Sequence, residues 1–158
     1  MKEYPKYKKV LFCTDFSETS DNAFDYAYGV AKRDEGELFI LHVKSNAGGG
    51  RFVENLIDKE TLETAHKEYM KHVEDEHREH YLNRVPGGTK CTVVSRSGRE
   101  DEEILKFARK RGVDLIVTGR NGKTALGRLL VGSVSEKVLR HSTVPVFAIP
   151  HKEEARVH

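Results

Sequence analysis

The feature that most constrains this chain is an alternation of short, continuously apolar runs with segments whose apolar residues recur at helical spacing. The runs are Val10-Leu11-Phe12-Cys13, Leu38-Phe39-Ile40-Leu41-His42-Val43, Cys91-Thr92-Val93-Val94, Leu115-Ile116-Val117 and Val144 to Ile149. A short run that does not alternate with polar residues predicts a strand covered on both faces, and such strands belong to a parallel sheet with helices on each side. The crossovers between them should be right-handed. Between the runs, Ala23, Phe24, Ala27, Val30 and Ala31 predict a helix from about Ser20 to Arg33, entered through the capping residues of Thr14-Asp15-Phe16-Ser17. From Phe52 to Asn83 the spacing predicts one long helix or two joined ones, with Leu56, Ile57, Leu62, Ala65, Tyr69, Met70 and Val73 as a partial apolar stripe. Before it, Ala47-Gly48-Gly49-Gly50 predicts a mobile loop. The segment REDEEILKFARKRG carries acids in its first turn, bases in its last and Gly112 as a stop, with Ile104, Leu105 and Ala108 inward. A last helix, Ser133 to His141, should turn Val134 and Val138 inward.

At 158 residues the chain fits one domain, 1–158, in which 151–158 is expected to form a flexible tail. Charged residues make up 33% with a formal net charge of +2, so the surface is well solvated without a field of one sign, and nothing in that balance asks for nucleic acid. No stretch approaches the roughly 20 apolar residues of a membrane span. The opening MKEYPKYKKV lacks the apolar run of a signal peptide, and the expected location is the cytoplasm. Cys13 and Cys91 both lie in strand-like runs and read as buried thiols rather than a disulfide.

In open parallel sheets, ligands bind beyond the carboxyl ends of the strands. Asp15, Val43 and Gly119 lie at such ends. From Gly119 the spacing is G-x2-G-x9-G-S, formed by Gly119, Gly122, Gly132 and Ser133, with Gly127 between. Gly119 and Gly122 allow a sharp turn off the fourth strand and a close approach to a phosphate, since neither has a Cβ in the way. Gly132 and Ser133 open the next helix, where unpaired amides and the helix dipole favour an anion. Ser133 adds a hydroxyl, Arg120, Lys123 and Arg128 add positive charge, and Thr124 could contact a magnesium ion. The segment is not a Walker A loop, because Val117 stands where that pattern needs glycine, and no G-x-G-x-x-G follows the first strand.

The blocks VLFCTDFSETSDNAFDYA, LFILHV, EEILKFARKRGVDLIVTGRNG and GSVSEKVLRHSTVPVFAIP resemble those of the universal stress protein family, in the same order across the whole fold. The glycine motif matches the form carried by the family's ATP-binding members. The resemblance implies an α/β, Rossmann-like open parallel sheet of five strands in order 3-2-1-4-5, with helices on both faces, and a homodimer made through the last strand. It implies that Asp15 and Val43 face the adenine, that Gly119 lies near the ribose, and that Gly122, Gly132, Ser133 and Val134 hold the phosphates. Cys13 departs from the pattern, standing beside the nucleotide where ATP-binding members often have proline. The expected ligand is ATP, with AMP or ADP as alternatives, accompanied by Mg2+ or Mn2+. For Asp15 the competing reading is helix capping.

The final strand points to the dimer independently: Pro145 and Pro150 suit an edge, but Val146, Phe147 and Ile149 are poor residues to leave exposed there. His66, His72, His77 and His80 crowd the long helical segment; a solvated face accounts for them more simply than a metal. His42 reads as a core histidine with a hydrogen-bonded ring. No catalytic set is defensible from spacing, so the expectation is a nucleotide-binding regulatory protein, with a slow Mg-dependent ATPase or nucleotidyl-transfer enzyme as the alternative. A phosphoacceptor receiver domain would need an aspartate after the third strand, where the chain has Ser95-Arg96-Ser97-Gly98.

Overall fold

The structure is a computed structural model that describes residues 4–46, 56–122 and 131–152. Five strands, β1 (Lys9–Thr14), β2 (Glu37–Ser45), β3 (Cys91–Gly98), β4 (Leu115–Gly119) and β5 (Val146–Ile149), pair in the order β3-β2-β1-β4-β5, every pair parallel. The order reverses at β1. There Val10 stands level with Leu38 and Leu115, and Phe12 with Ile40 and Val117.

Among the described residues four helices cover the sheet: α1 (Glu18–Arg33), α2 (Lys59–His80), α3 (Glu100–Arg111) and α4 (Ser133–His141). Alternate residues of β1 serve opposite layers. Val10 and Phe12 pack with Phe24, Ala27 and Ala31 of α1 and with Tyr81, which follows α2. Leu11 and Cys13 pack with Ile104, Phe107 and Ala108 of α3 and with Val138 of α4. Helix ends follow the local chemistry. Ser17 caps α1 by accepting from the Ser20 amide, Asp58 caps α2 by accepting from the Thr61 amide, and Gly112 ends α3 in the left-handed region at φ 63°.

Several boundaries differ from the sequence expectation. β3 runs on through Ser95, Arg96 and Ser97, because an edge strand tolerates polar residues, and β5 begins at Val146 rather than Val144. Pro145 has no amide to donate, so its carbonyl alone pairs, with the Ile116 amide at 3.0 Å. α2 is shorter than the predicted segment and passes into a 3-10 turn at Leu82–Arg84. Leu56 and Ile57 precede it and are exposed, as are Ala65 and Met70, so the expected stripe shrinks to Leu62, Tyr69 and Val73, with His77 added. Residues 52–55 and the Gly48–Gly50 loop lie outside the described residues. After β5, His151 Nε2 lies 3.2 Å from Glu18 Oε2 and Lys152 Nζ 3.9 Å from Asp25 Oδ2, both carboxylates on α1.

The histidines of α2 do not form one solvated face. His66 and His72 are exposed, but His77 is 1% exposed, and neither ring nitrogen has a hydrogen-bond partner among the described residues. His80 is half-buried between Asp21 and Glu76. Although Asp75, Glu76, Arg78 and Glu79 beside it in sequence are charged, His77 lies one turn beyond Val73 on the inward side of the helix. Among the described residues no group of three or more His, Cys, Asp or Glu side chains converges on a metal position.

Candidate functional site

A cavity of about 620 Å3 opens over the carboxyl ends of β1, β2 and β4. It is lined by Cys13, Asp15, Val43, Gly119, Gly122, Gly132, Ser133 and Val134, eight of the ten residues that the sequence proposes. Of the other two, Lys123 lies outside the described residues, with Thr124, Gly127 and Arg128. Arg120 is not among the residues lining the cavity; its backbone amide extends the sheet by donating to the Ile149 carbonyl at 2.7 Å.

The two halves of the glycine segment are stitched together. The Gly132 amide donates to the Arg120 carbonyl at 2.8 Å, and Ser135 Oγ donates to the Gly119 carbonyl at 2.7 Å. The first amides of any helix have no intrahelical acceptor, and Gly132, as N-cap of α4, supplies no side chain to satisfy them. That helix end therefore presents donors and a positive dipole end to the cavity.

The glycines do different work. A Cβ on Gly122 would lie 2.7 Å from Asp15 Oδ2, so the bare Cα is what admits the carboxylate. At Gly119 a Cβ would meet Thr19 Cγ2 at 3.0 Å and the Thr19 and Ser20 backbone at 3.2 and 3.3 Å, so this glycine lets β4 end close against α1. Its smallness serves packing as well as the cavity wall.

Asp15 is not the helix cap; Ser17 is. The carboxylate supports that cap from outside, Oδ1 accepting from Ser20 Oγ at 2.7 Å and from the Ser17 amide at 3.1 Å. Cys13 is 6% exposed, and burial pushes its thiol far above the ordinary range, so it meets the cavity as a neutral, apolar group.

Other lining residues carried no motif. His42 and Tyr69 form one wall, with His42 Nε2 3.1 Å from Tyr69 Oη, and Lys44 sits 4.2 Å above the Tyr69 ring centre. Burial raises the Tyr69 hydroxyl above its usual range, so it stays protonated. His42 has the expected hydrogen-bonded ring, its second bond being to the Thr14 carbonyl at 3.0 Å, but it is not a core residue: it is half-buried in the cavity wall. Glu100, at the start of α3, is the third charged lining residue beside Asp15 and Lys44. Only the position of His42 and Lys44 near a strand's end could have flagged them.

The model of the universal stress protein family matches residues 6–150. This chain is a universal stress protein. Universal stress protein MJ0577 of Methanocaldococcus jannaschii is 32% identical over 92% of this chain and 96% of its own. Its solved structure superposes with a TM-score of 0.73 at 34% identity, again over 92% and 96% of the two chains. Two further family structures share the fold: one in complex with cAMP, at TM-score 0.61 and 21% identity over 94% and 100% of the chains, and one from Archaeoglobus fulgidus in complex with dAMP, at 0.56 and 21% over 92% and 99%. The five-stranded parallel order expected from the resemblance is the observed one. No helix among the described residues is long and apolar enough to cross a membrane.

Proposed function

We propose that this universal stress protein is an adenine-nucleotide-binding regulatory protein whose preferred ligand is ATP, with AMP and ADP able to occupy the same cavity. The observation that carries this reading is the α4 N-terminus: a helix capped by glycine, stitched to the turn off β4 and opening on a 620 Å3 cavity. Gly122, Gly132, Ser133 and Val134 then hold the phosphates, Gly119 lies by the ribose, and Asp15 and Val43 face the base beside Cys13. Family members of the same fold solved with cAMP and dAMP support an adenine nucleotide as the ligand class. Lys123 adds charge from the same segment, and a Mg2+ or Mn2+ ion arrives with the phosphates.

The test is the nucleotide released when the purified protein is denatured, identified by mass, together with calorimetric titration by ATP, ADP and AMP. Release of an adenine nucleotide, or saturable ATP binding below millimolar concentration, is the expected result. No released nucleotide and no heat with any of the three would end the proposal.

We further propose that two copies associate through β5. It is an edge strand with half-buried Val146, Phe147 and Ala148, which a second copy would cover. Light scattering at micromolar concentration should give twice the chain mass of 18.0 kDa; a monomer mass sinks this part.

A further inference from the structure

Asp15 sits in a turn that is held from outside. The next residue, Phe16, has φ 60°, a left-handed conformation that a bulky side chain rarely takes and that persists only where the surroundings impose it. Those surroundings come from the α2 layer and from β2. The Phe16 ring lies 4.7 Å from the His42 ring, 4.9 Å from His77 and 6.1 Å from Tyr81, centre to centre. The Phe16 amide donates to Thr14 Oγ1 at 2.9 Å, and that hydroxyl is 2.5 Å from the hydroxyl of fully buried Tyr81.

On the other side of the turn the Thr14 carbonyl can only accept, so His42 Nδ1 carries the proton it donates there. In the neutral ring, His42 Nε2 is then an acceptor, and the Tyr69 hydroxyl is its donor. Thr14 is thus gripped twice, at its side chain by Tyr81 and at its carbonyl through His42 by Tyr69. Asp15 is left between Thr14 and Phe16 with its carboxylate directed at Gly122.

We propose that Tyr81, and Tyr69 acting through His42, are positioning residues for Asp15, and that through it they set the preference of the site for adenine. This rests on the nucleotide reading above, in which Asp15 faces the base. Neither tyrosine needs to touch the nucleotide's phosphates, so their loss should weaken base discrimination and spare phosphate affinity.

Tyr81→Phe and Tyr69→Phe keep the rings and delete one hydroxyl each. The first measurement is made on the nucleotide-free chain: in Tyr81→Phe the NMR signal of the Phe16 amide shifts and its hydrogen exchange accelerates, and the Asp15 carboxyl carbon shifts with it. If those signals stay where they are in the wild type, the clamp does not exist and the proposal is overturned, whether or not the protein binds nucleotide. The second is calorimetry with ATP and GTP. Each variant should bind ATP about 5–10-fold more weakly, the loss expected for one hydrogen bond, while GTP affinity moves less than about 2-fold. In an Asp15→Asn background, Tyr81→Phe should have no further effect on ATP. Equal loss for both nucleotides, or full additivity with Asp15→Asn, would mean that the tyrosines only stabilise the fold, and would overturn the proposal. If the wild type binds neither nucleotide, the nucleotide reading fails and so does the base-preference claim, and the Phe16 and Asp15 signals alone decide whether Asp15 is positioned.

Discussion

Gly122→Val should lower ATP affinity by at least about 100-fold while leaving thermal stability nearly unchanged. The β-carbon would fall 2.7 Å from Asp15 Oδ2, closer than any two such atoms approach. The carboxylate cannot simply swing aside, because Oδ1 holds Ser20 Oγ and the Ser17 amide. If the turn moves instead, it pulls on the Arg120 carbonyl that receives the Gly132 amide, and the two halves of the cradle separate. Either route costs the site two of its fixed points, and about 2.7 kcal/mol is enough for a 100-fold loss. Gly122 itself is exposed, so little folding energy is at stake. Gly119→Ala makes the contrast. Its Cβ presses on the backbone of Thr19 and Ser20 in the first turn of α1, and the expected result is a loss of about 1–3 kcal/mol in urea unfolding. Calorimetry and denaturation on both variants check the pair. A Gly122→Val protein that binds ATP normally would remove Asp15 and Gly122 from the site.

The two glycines show how far the sequence could be read. Spacing alone picks out Gly119 and Gly122 as members of one motif, and both line the cavity. Their separate roles depend on Asp15 and Thr19, which are a hundred or more residues away in the chain and reach them only because β1 and β4 are neighbours in the sheet. The strands were legible because a strand covered on both faces needs a continuous apolar run, as Val10–Cys13 of β1 and Leu115–Val117 of β4 supply. Edge strands carry no such requirement, so β3 continued past the last valine into Ser95-Arg96-Ser97 without a signal. His42 and Tyr69 were invisible as a pair, since a hydrogen bond across 27 residues leaves no local pattern.

His77 is where the sequence misled, and it yields the largest expected pH effect. Its ring packs against Phe16 and Tyr81 and faces His42 and His80, with His80 in turn paired to Asp21 and Glu76. Burial first, and the neighbouring His42 and His80 second, lower its pKa from 6.5 to about 4. In the unfolded chain the same histidine takes up its proton near 6.5. Between those values the unfolded state binds more protons than the folded one, so stability rises with pH and is lost as pH falls from about 6.5 to about 4. Below about 4 both states are protonated and this contribution levels off. The full loss is on the order of 3 kcal/mol, which for a chain of this length corresponds to a drop of about 10 °C in Tm. His77→Leu removes the titrating group and two buried nitrogens without partners, so it should flatten the stability profile between pH 6.5 and 4 and raise stability even at pH 7. Urea unfolding of both proteins at half-unit pH steps measures it. Parallel curves for wild type and His77→Leu would show that His77 does not remain neutral in the fold and would overturn this account of the acid sensitivity. A curve flattened only for His77→Leu would show that burying this ring, which grips Phe16 beside Asp15, sets the acid limit for a folded site.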